Sequence, residues 1–289
     1  MNGNKYYAAF QKFAPPDTAQ VISKNVKGIL NRSLEKNFTP QTLAAIYGCI
    51  DLTTLNSLDT KETVSQLVEK VNDFEGTPHV PNVAAICTYP VFVETVKRSL
   101  LAHGVKIASV AAGFPSSQTF PEIKIAETAM AVMAGAHEID VVLNLGLFIE
   151  EAYEEMADEL AEIKESCRGA TLKVIIETGA LATPENIRRA TILSLYSGAD
   201  FIKTSTGKGY PGATPEAFYT VCKVVKKYQE LTGNKIGVKV SGGIRTSKEA
   251  VIYYTIAENV LGKEWLNKDF FRIGASSLIE DIEKNINYV

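Results

Sequence analysis

The stretch GADFIKTSTGKGYPGATPE, residues 198–216, contains the unit from which the chain is built. Phe201-Ile202 is a short apolar run of the kind that enters a core as a strand. Thr214-Pro215-Glu216 places a hydroxyl cap, a proline and an acid where a helix begins. Between them lies a loop rich in glycine and hydroxyls. Lys203 follows the apolar pair at once, and Lys208 comes soon after. A buried cation is costly unless it is paired or used, so the stretch poses a question of chemistry as well as of fold.

The same unit recurs on both sides. Apolar runs occur at YGCIDL (47–52), VAAICTYP (83–90), KIASVAAGF (106–114), EIDVVLNL (138–145), LKVIIETG (172–179), DFIKTSTG (200–207), IGVKVSGG (236–243) and FRIGASS (271–277). Segments such as IKIAETAMAVMAGA (123–136) and ENIRRATILSLYSGA (185–199) carry apolar residues at helical spacing between them. Thr183-Pro184-Glu185 and Thr246-Ser247 mark further helix starts. About eight strand–helix units in 289 residues imply parallel strands with crossover helices, and predict a single α/β (β/α)8 barrel, the TIM-barrel class. A doubly wound open sheet is the alternative. Residues 1–40 read as an N-terminal helical extension, expected to cover the barrel floor or a subunit contact, and residues 41–289 read as the barrel.

Strand side chains alternate, which sorts each run into two faces. Ile139, Val141, Leu172, Val174, Ile176, Ile202, Val238 and Val240 form the apolar faces. If these meet the helices, Glu138, Asp140, Lys173, Glu177, Lys203 and Lys239 point into the barrel. Any one of these charges could reach solvent or be structural. Six on four successive strands suggest a site. Desolvation and a neighbouring cation both lower a lysine's pKa, giving the neutral amine that a nucleophile needs. Lys203 and Lys239 form such a couple, with Asp140 as proton shuttle, which is Schiff-base chemistry in outline. Gly207-Lys208, Ser241-Gly242-Gly243 and Gly274-Ala275-Ser276-Ser277 are small, donor-rich loops after the late strands, where this barrel often holds a phosphate. Taken singly, each is more often an ordinary turn.

The remaining composition narrows the partners. A net charge of −3 and the lack of a polybasic segment argue against nucleic acid. Neither a signal-peptide core nor a membrane-length apolar run occurs, so a cytoplasmic protein with no membrane partner is expected. Cys49, Cys87, Cys167 and Cys222 are scattered, as free thiols in a reducing compartment would be. His79, His103 and His137 lack metal-ligand spacing, so no metal site is expected, and Schiff-base chemistry at a lysine requires no cofactor. Cys87 reads first as a buried small hydrophobe, and second as a thiol within reach of the lysine couple.

The motifs IDLTTLN (50–56), AAICTYP (84–90), EIDVV (138–142), LKVIIETG (172–179), GADFIKTSTGK (198–208), VKVSGGIRT (238–246) and FRIGASSL (271–278) together resemble the deoxyribose-phosphate aldolases, from about residue 45 onward. The lysine of FIKTSTG and a second lysine on the next strand are the specific part. The resemblance implies a class I aldolase that cleaves 2-deoxy-D-ribose 5-phosphate reversibly to D-glyceraldehyde 3-phosphate and acetaldehyde. It implies Lys203 as the Schiff-base lysine, Lys239 as its partner, and Asp140 as the relay with a water. Asp51 is implied as a substrate-hydroxyl contact and Thr206 as a substrate-binding residue, with Gly207, Lys208, Gly242, Gly243, Ser276 and Ser277 at the substrate phosphate. Phosphosugar and aldehyde are then the partners, and a homodimer stays open as the assembly. The opening helical stretch is longer than the family pattern. The chain ends NINYV, which puts Tyr288 next to last where some members use a C-terminal tyrosine. A Schiff-base aldolase for another phosphosugar and a non-catalytic sugar-phosphate sensor are the rival readings. The three catalytic positions together speak against a sensor.

Overall fold

The computed structural model describes residues 5–286. Three helices precede the first strand: α1 Lys5–Gln11, α2 Ala19–Asn37 and α3 Pro40–Tyr47. The repeating part then runs β1 Ile50–Thr53, α4 Lys61–Phe74, β2 Ala85–Thr88, α5 Val93–Ser99, β3 Lys106–Ala111, α6 Pro121–Ala134 and β4 Glu138–Val142. It continues with α7 Leu145–Ile149, α8 Tyr153–Ser166, β5 Thr171–Ile175, α9 Thr178–Leu181, α10 Pro184–Tyr196, β6 Phe201–Lys203 and α11 Pro215–Thr232. The last turn of the cycle is β7 Gly237–Ser241, α12 Ser247–Val260, β8 Phe271–Ala275 and α13 Leu278–Ile286. The strands pair in chain order, and β8 returns to pair in parallel with β1. The sheet is therefore a closed barrel, and the open-sheet alternative is excluded.

The helix starts follow the capping chemistry of the sequence. Thr183, Thr214 and Thr246 each accept a hydrogen bond from the backbone N–H three residues on, satisfying a donor that the helix leaves free. Pro184 and Pro215 occupy first-turn positions that need no N–H. Thr246 and Glu249 close a reciprocal capping box. Each cap fixes where a βα loop ends, and so holds the loops at the C-terminal mouth of the barrel.

Alternation along the strands divides the interior into two layers. Ile139, Val141, Leu172, Val174, Ile202, Val238, Val240 and Ile273 join the large core between strands and helices. The opposite faces fill the lumen. On β2 and β3 they carry small apolar residues, and Ala85, Cys87, Ala108 and Val110 form a separate cluster with Leu55. On the other strands they carry charge.

The N-terminal helices lie on the outer ring. The residues Ile22, Val26 and Ile29 of α2 are buried, and α2 packs chiefly against α11 and α12. Tyr7 and Phe10 of α1 meet Tyr153 edge to face. The expected cover over the barrel floor is thus a strap along its side, because the apolar face of α2 matches the groove between two crossover helices. No helix among the described residues is long and apolar enough to cross a membrane.

Candidate active site

Strand register sets the lysines side by side. Lys203 pairs in register with Lys239, and Asp140 with Lys173. The Asp140 carboxylate is the hub. Its Oδ2 accepts from Lys203 Nζ and from Lys239 Nζ, both at 2.8 Å, while Oδ1 accepts from Lys173 Nζ at 2.9 Å. The two lysine nitrogens thus lie within twice that distance of each other. Below them Lys239 also meets Asp51 at 2.5 Å, and Lys173 meets Glu138 at 2.6 Å. Arg272 closes the floor, 2.6 Å from Asp51 and 2.8 Å from Glu138. Gly274 makes room for this packing, since a Cβ there would stand 3.1 Å from Lys239 Cε.

The electrostatics separate the two lysines. Asp51, Glu138, Asp140, Lys173, Lys239 and Arg272 are fully buried, and Lys203 nearly so. Burial pushes the Lys203 ammonium down; Asp140 pulls it back, but the charge of Lys239 adds to the downward push, and the net shift is down. Burial also opposes the charge of Lys239, yet Asp140 and Asp51 together hold that ammonium well above the usual lysine range. Lys173 is raised likewise by Asp140, Glu138 and Asp51. Burial would raise the Asp140 carboxyl, but Lys173, Lys203 and Lys239 hold it well below its usual value. With Lys203 neutral, the buried cations Lys173, Lys239 and Arg272 match the carboxylates Asp51, Glu138 and Asp140 one for one. Lys106 approaches Glu138 from the edge but is 39% exposed, so water screens it. A charged Lys203 is the surplus proton in a dry network, which agrees with its lowered pKa.

The donor-rich loops lie next to one another above the lysines. Gly242 has φ +91°, and Gly212 lies so close that a Cβ on it would stand 2.1 Å from the Gly242 carbonyl oxygen. At this point the loops after β6 and β7 meet backbone to backbone, which only glycine allows. Gly207 and Gly243 are exposed beside this contact, and Lys208 is half-buried with no ion pair among the described residues. Ser276 and Ser277 are exposed immediately before α13. These features suit an anion, held by backbone N–H groups and one flexible cation.

Of the residues expected from the sequence, Lys203, Lys239 and Asp140 come together at hydrogen-bond distance. Gly207, Lys208, Gly242, Gly243, Ser276 and Ser277 fall on three neighbouring loops at the mouth. Asp51 lies lower, with Oδ2 taken by Lys239 and Oδ1 by Arg272. Glu177 departs from the expected inward group. It lies two residues beyond β5, and its carboxylate turns to Thr206. Thr206 in turn gives both its N–H and its hydroxyl to Glu177 and keeps neither for an anion. Arg272 is a member of the network that the sequence reading missed, although the same alternation in FRIGA places it opposite Phe271 and Ile273. Cys87 is in the lumen, and burial, aided by Asp140, pushes its thiol upward. Tyr288 lies outside the described residues. Among the described residues, no three His, Cys, Asp or Glu side chains are grouped to hold a metal ion.

The fold and the site together define the class: a closed eight-stranded parallel barrel whose lumen holds a lowered-pKa lysine beside a fixed ammonium and a carboxylate. The chain belongs to the DeoC/LacD aldolase family, whose model matches residues 46–278. It is 38% identical to a deoxyribose-phosphate aldolase of Mus musculus over 270 residues, covering 88% of this chain and 84% of that protein. It is 37% identical to the Homo sapiens deoxyribose-phosphate aldolase over 266 residues, with the same coverage of 88% and 84%. Among solved structures, the tetrameric deoxyribose phosphate aldolase from Aeropyrum pernix matches with a TM-score of 0.68 at 29% identity, covering 90% of this chain and 98% of that one.

Proposed function

We propose that the protein is a deoxyribose-phosphate aldolase that reversibly cleaves 2-deoxy-D-ribose 5-phosphate to D-glyceraldehyde 3-phosphate and acetaldehyde through a Schiff base on Lys203. The observation that carries the reading is the asymmetry of the lysine pair around one carboxylate: Lys203 is depressed by burial and by Lys239, while Lys239 is locked as a cation.

In the cleavage direction, neutral Lys203 Nζ attacks the open-chain aldehyde carbon to give a carbinolamine. Loss of water leaves a protonated imine, the electron sink. A base removes the proton of the C3 hydroxyl, the C2–C3 bond breaks, and glyceraldehyde 3-phosphate leaves with the electron pair of that bond remaining as an enamine. Protonation of the enamine carbon and addition of water release acetaldehyde and the free amine. Asp140, which already touches both lysines, serves with Lys239 and a water as the proton relay. Lys239 also disfavours a charged Lys203 before attack. The phosphate is held by the backbone of Gly207, Gly242, Gly243, Ser276 and Ser277 and by Lys208, where developing charge at the reacting carbons does not disturb it. Asp51, its oxygens taken by Lys239 and Arg272, holds the Lys239 ammonium from below.

As such an aldolase it acts in the cytoplasm, in the catabolism of deoxyribonucleotides and carbohydrate. It assembles as a homodimer, a state supported by Ile123, Met130 and Met133, which α6 leaves exposed on one face; a dimer mass by light scattering is expected, and a monomer mass would overturn the assembly. The reaction itself is tested by incubating the protein with 2-deoxy-D-ribose 5-phosphate and measuring acetaldehyde and glyceraldehyde 3-phosphate release. Equal amounts of both products are expected. Inertness toward this sugar with cleavage of another phosphosugar would overturn the substrate.

A further inference from the structure

Glu177 is buried, charged and unused by the chemistry above. It sits at the turn after β5 with φ +50° and ψ +67°, a left-handed conformation that is strained for a residue with a side chain. Only 2% of it is exposed. Its carboxylate accepts from the Thr206 N–H at 3.2 Å and from the Thr206 hydroxyl at 2.5 Å. The Thr206 hydroxyl oxygen in turn accepts from the Lys208 N–H at 3.0 Å. One carboxylate therefore sets two successive points of the loop that carries Gly207 and Lys208.

The neighbouring residues of the turn hold the same loop. Thr178 N–H donates to the Thr204 carbonyl at 2.8 Å, and the Thr178 and Ser205 hydroxyls lie 3.4 Å apart. Gly179 is pressed against Pro211, whose carbonyl oxygen would stand 2.3 Å from a Cβ at that position. Three consecutive residues, Glu177, Thr178 and Gly179, thus grip the loop from Thr204 to Pro211. The strain at Glu177 has a purpose if it aims the carboxylate at Thr206. A second anion beside a bound phosphate would repel it, and here burial pushes the Glu177 carboxyl up, with the Thr206 bonds and Lys203 pulling it back only in part.

We propose that Glu177 is the positioning residue of the phosphate loop: it occupies the Thr206 N–H and hydroxyl as an internal acceptor, so that Gly207 and Lys208 are set for the substrate phosphate and Thr206 does not touch it. The proposal rests on the phosphate placement of the preceding section. What Glu177 supplies is an acceptor in a fixed place, and its charge is dispensable.

The test compares Glu177→Ala and Glu177→Gln with the wild type, by steady-state kinetics on 2-deoxy-D-ribose 5-phosphate and by calorimetric binding of inorganic phosphate. Glu177→Ala should raise KM and the phosphate Kd together by about tenfold, the loss expected when the acceptor of two buried hydrogen bonds is removed. Its kcat should fall by less than about threefold, and borohydride should still trap acetaldehyde on the protein. Glu177→Gln keeps an acceptor oxygen and should stay within about threefold of wild type in both constants. Should Glu177→Ala fail to fold, Glu177→Asp, whose shorter side chain withdraws the carboxylate from Thr206 while leaving Thr206 itself intact, carries the same expectation for KM and Kd. An unchanged phosphate Kd, a kcat that falls as far as kcat/KM, or a glutamine variant as impaired as the alanine variant would overturn the proposal. If the wild type does not cleave this sugar but its phosphate affinity depends on Glu177 as described, the substrate reading falls and the role of Glu177 stands.

Discussion

The two sides of the barrel lumen are equally dry and differ completely in chemistry. On β2 and β3 the inward residues are Ala85, Cys87, Ala108 and Val110, all at most 1% exposed. Across from them β1 and β4 to β8 supply Asp51, Glu138, Asp140, Lys173, Lys203, Lys239 and Arg272. Both sides belong to one closed sheet with continuous register, so backbone geometry does not distinguish them. Size does: the small side of Ala85, Cys87 and Ala108 leaves space for four long cations to reach inward, as interdigitated packing requires. The charged side is a set of compensated pairs with one member to spare. Burying charge is tolerable only where each ion has a partner, and the lysine whose charge is surplus is the one with the lowered pKa.

The sharpest way to break this arrangement is to neutralise its hub. Asp140→Asn leaves Lys173, Lys203 and Lys239 without their common partner. Turnover should fall by about 10³-fold or more, and the fold should lose roughly 3–5 kcal/mol, the usual result of breaking a buried ion pair. Urea titration and kcat check the two halves of that statement. A variant with near-normal activity would show that the carboxylate is only structural.

Lys239→Leu carries the next largest effect, a rate loss of about 100-fold. The sign of its pH dependence follows from the wild-type network. Only the neutral amine of Lys203 attacks, so the rate climbs as pH rises through the Lys203 pKa. Removing the Lys239 ammonium takes away a charge that lowers this pKa and frees Asp140 to hold Lys203 as a cation. The rising limb of the pH–rate profile should therefore move to higher pH. An unmoved limb would uncouple the two lysines.

How much of this was legible in the sequence depends on what kind of signal each residue leaves. All eight apolar runs became strands, because a period of two and the Thr-Pro and Thr-Ser caps are local patterns that survive in any tertiary context. The same period puts Lys203, Lys239, Lys173, Asp140 and Glu138 in the lumen, and applied to FRIGA it puts Arg272 there too, opposite Phe271 and Ile273. Glu177 escaped because the rule ends where the strand ends. Two residues past Ile175 the backbone is left-handed, and nothing in IIETG writes that turn as a period. The resemblance implies Thr206 as a substrate-binding residue, and only its contact with Glu177, distant in sequence, shows where its donors go. The strap made by α2 was legible as a helix but not as to its place, since an amphipathic helix names its apolar face and not its partner.

Smaller effects are expected from the apolar side. Cys87→Ala should keep kcat within about threefold, because the thiol is buried and held protonated and the smaller side chain leaves the space for the cations open. If excess acetaldehyde inactivates the enzyme, through an unsaturated aldehyde formed in the pocket, the same variant should slow that loss, and peptide mass spectra of inactivated wild type should show Cys87 modified. An unmodified Cys87 would place the damage elsewhere. The smallest effect is that of chelation: EDTA should leave the rate unchanged, and loss of activity restored by a divalent metal would replace the lysine mechanism with a metal-assisted one.

The most direct measurement is reductive trapping. The protein is mixed with acetaldehyde or 2-deoxy-D-ribose 5-phosphate, reduced with borohydride, digested and mapped by mass spectrometry. The charge balance of the lumen predicts a single added two-carbon group with acetaldehyde, on Lys203, and none in Lys203→Ala. A label on Lys239 or Lys173, or an equal label in the Lys203→Ala protein, would contradict the assignment of the neutral amine.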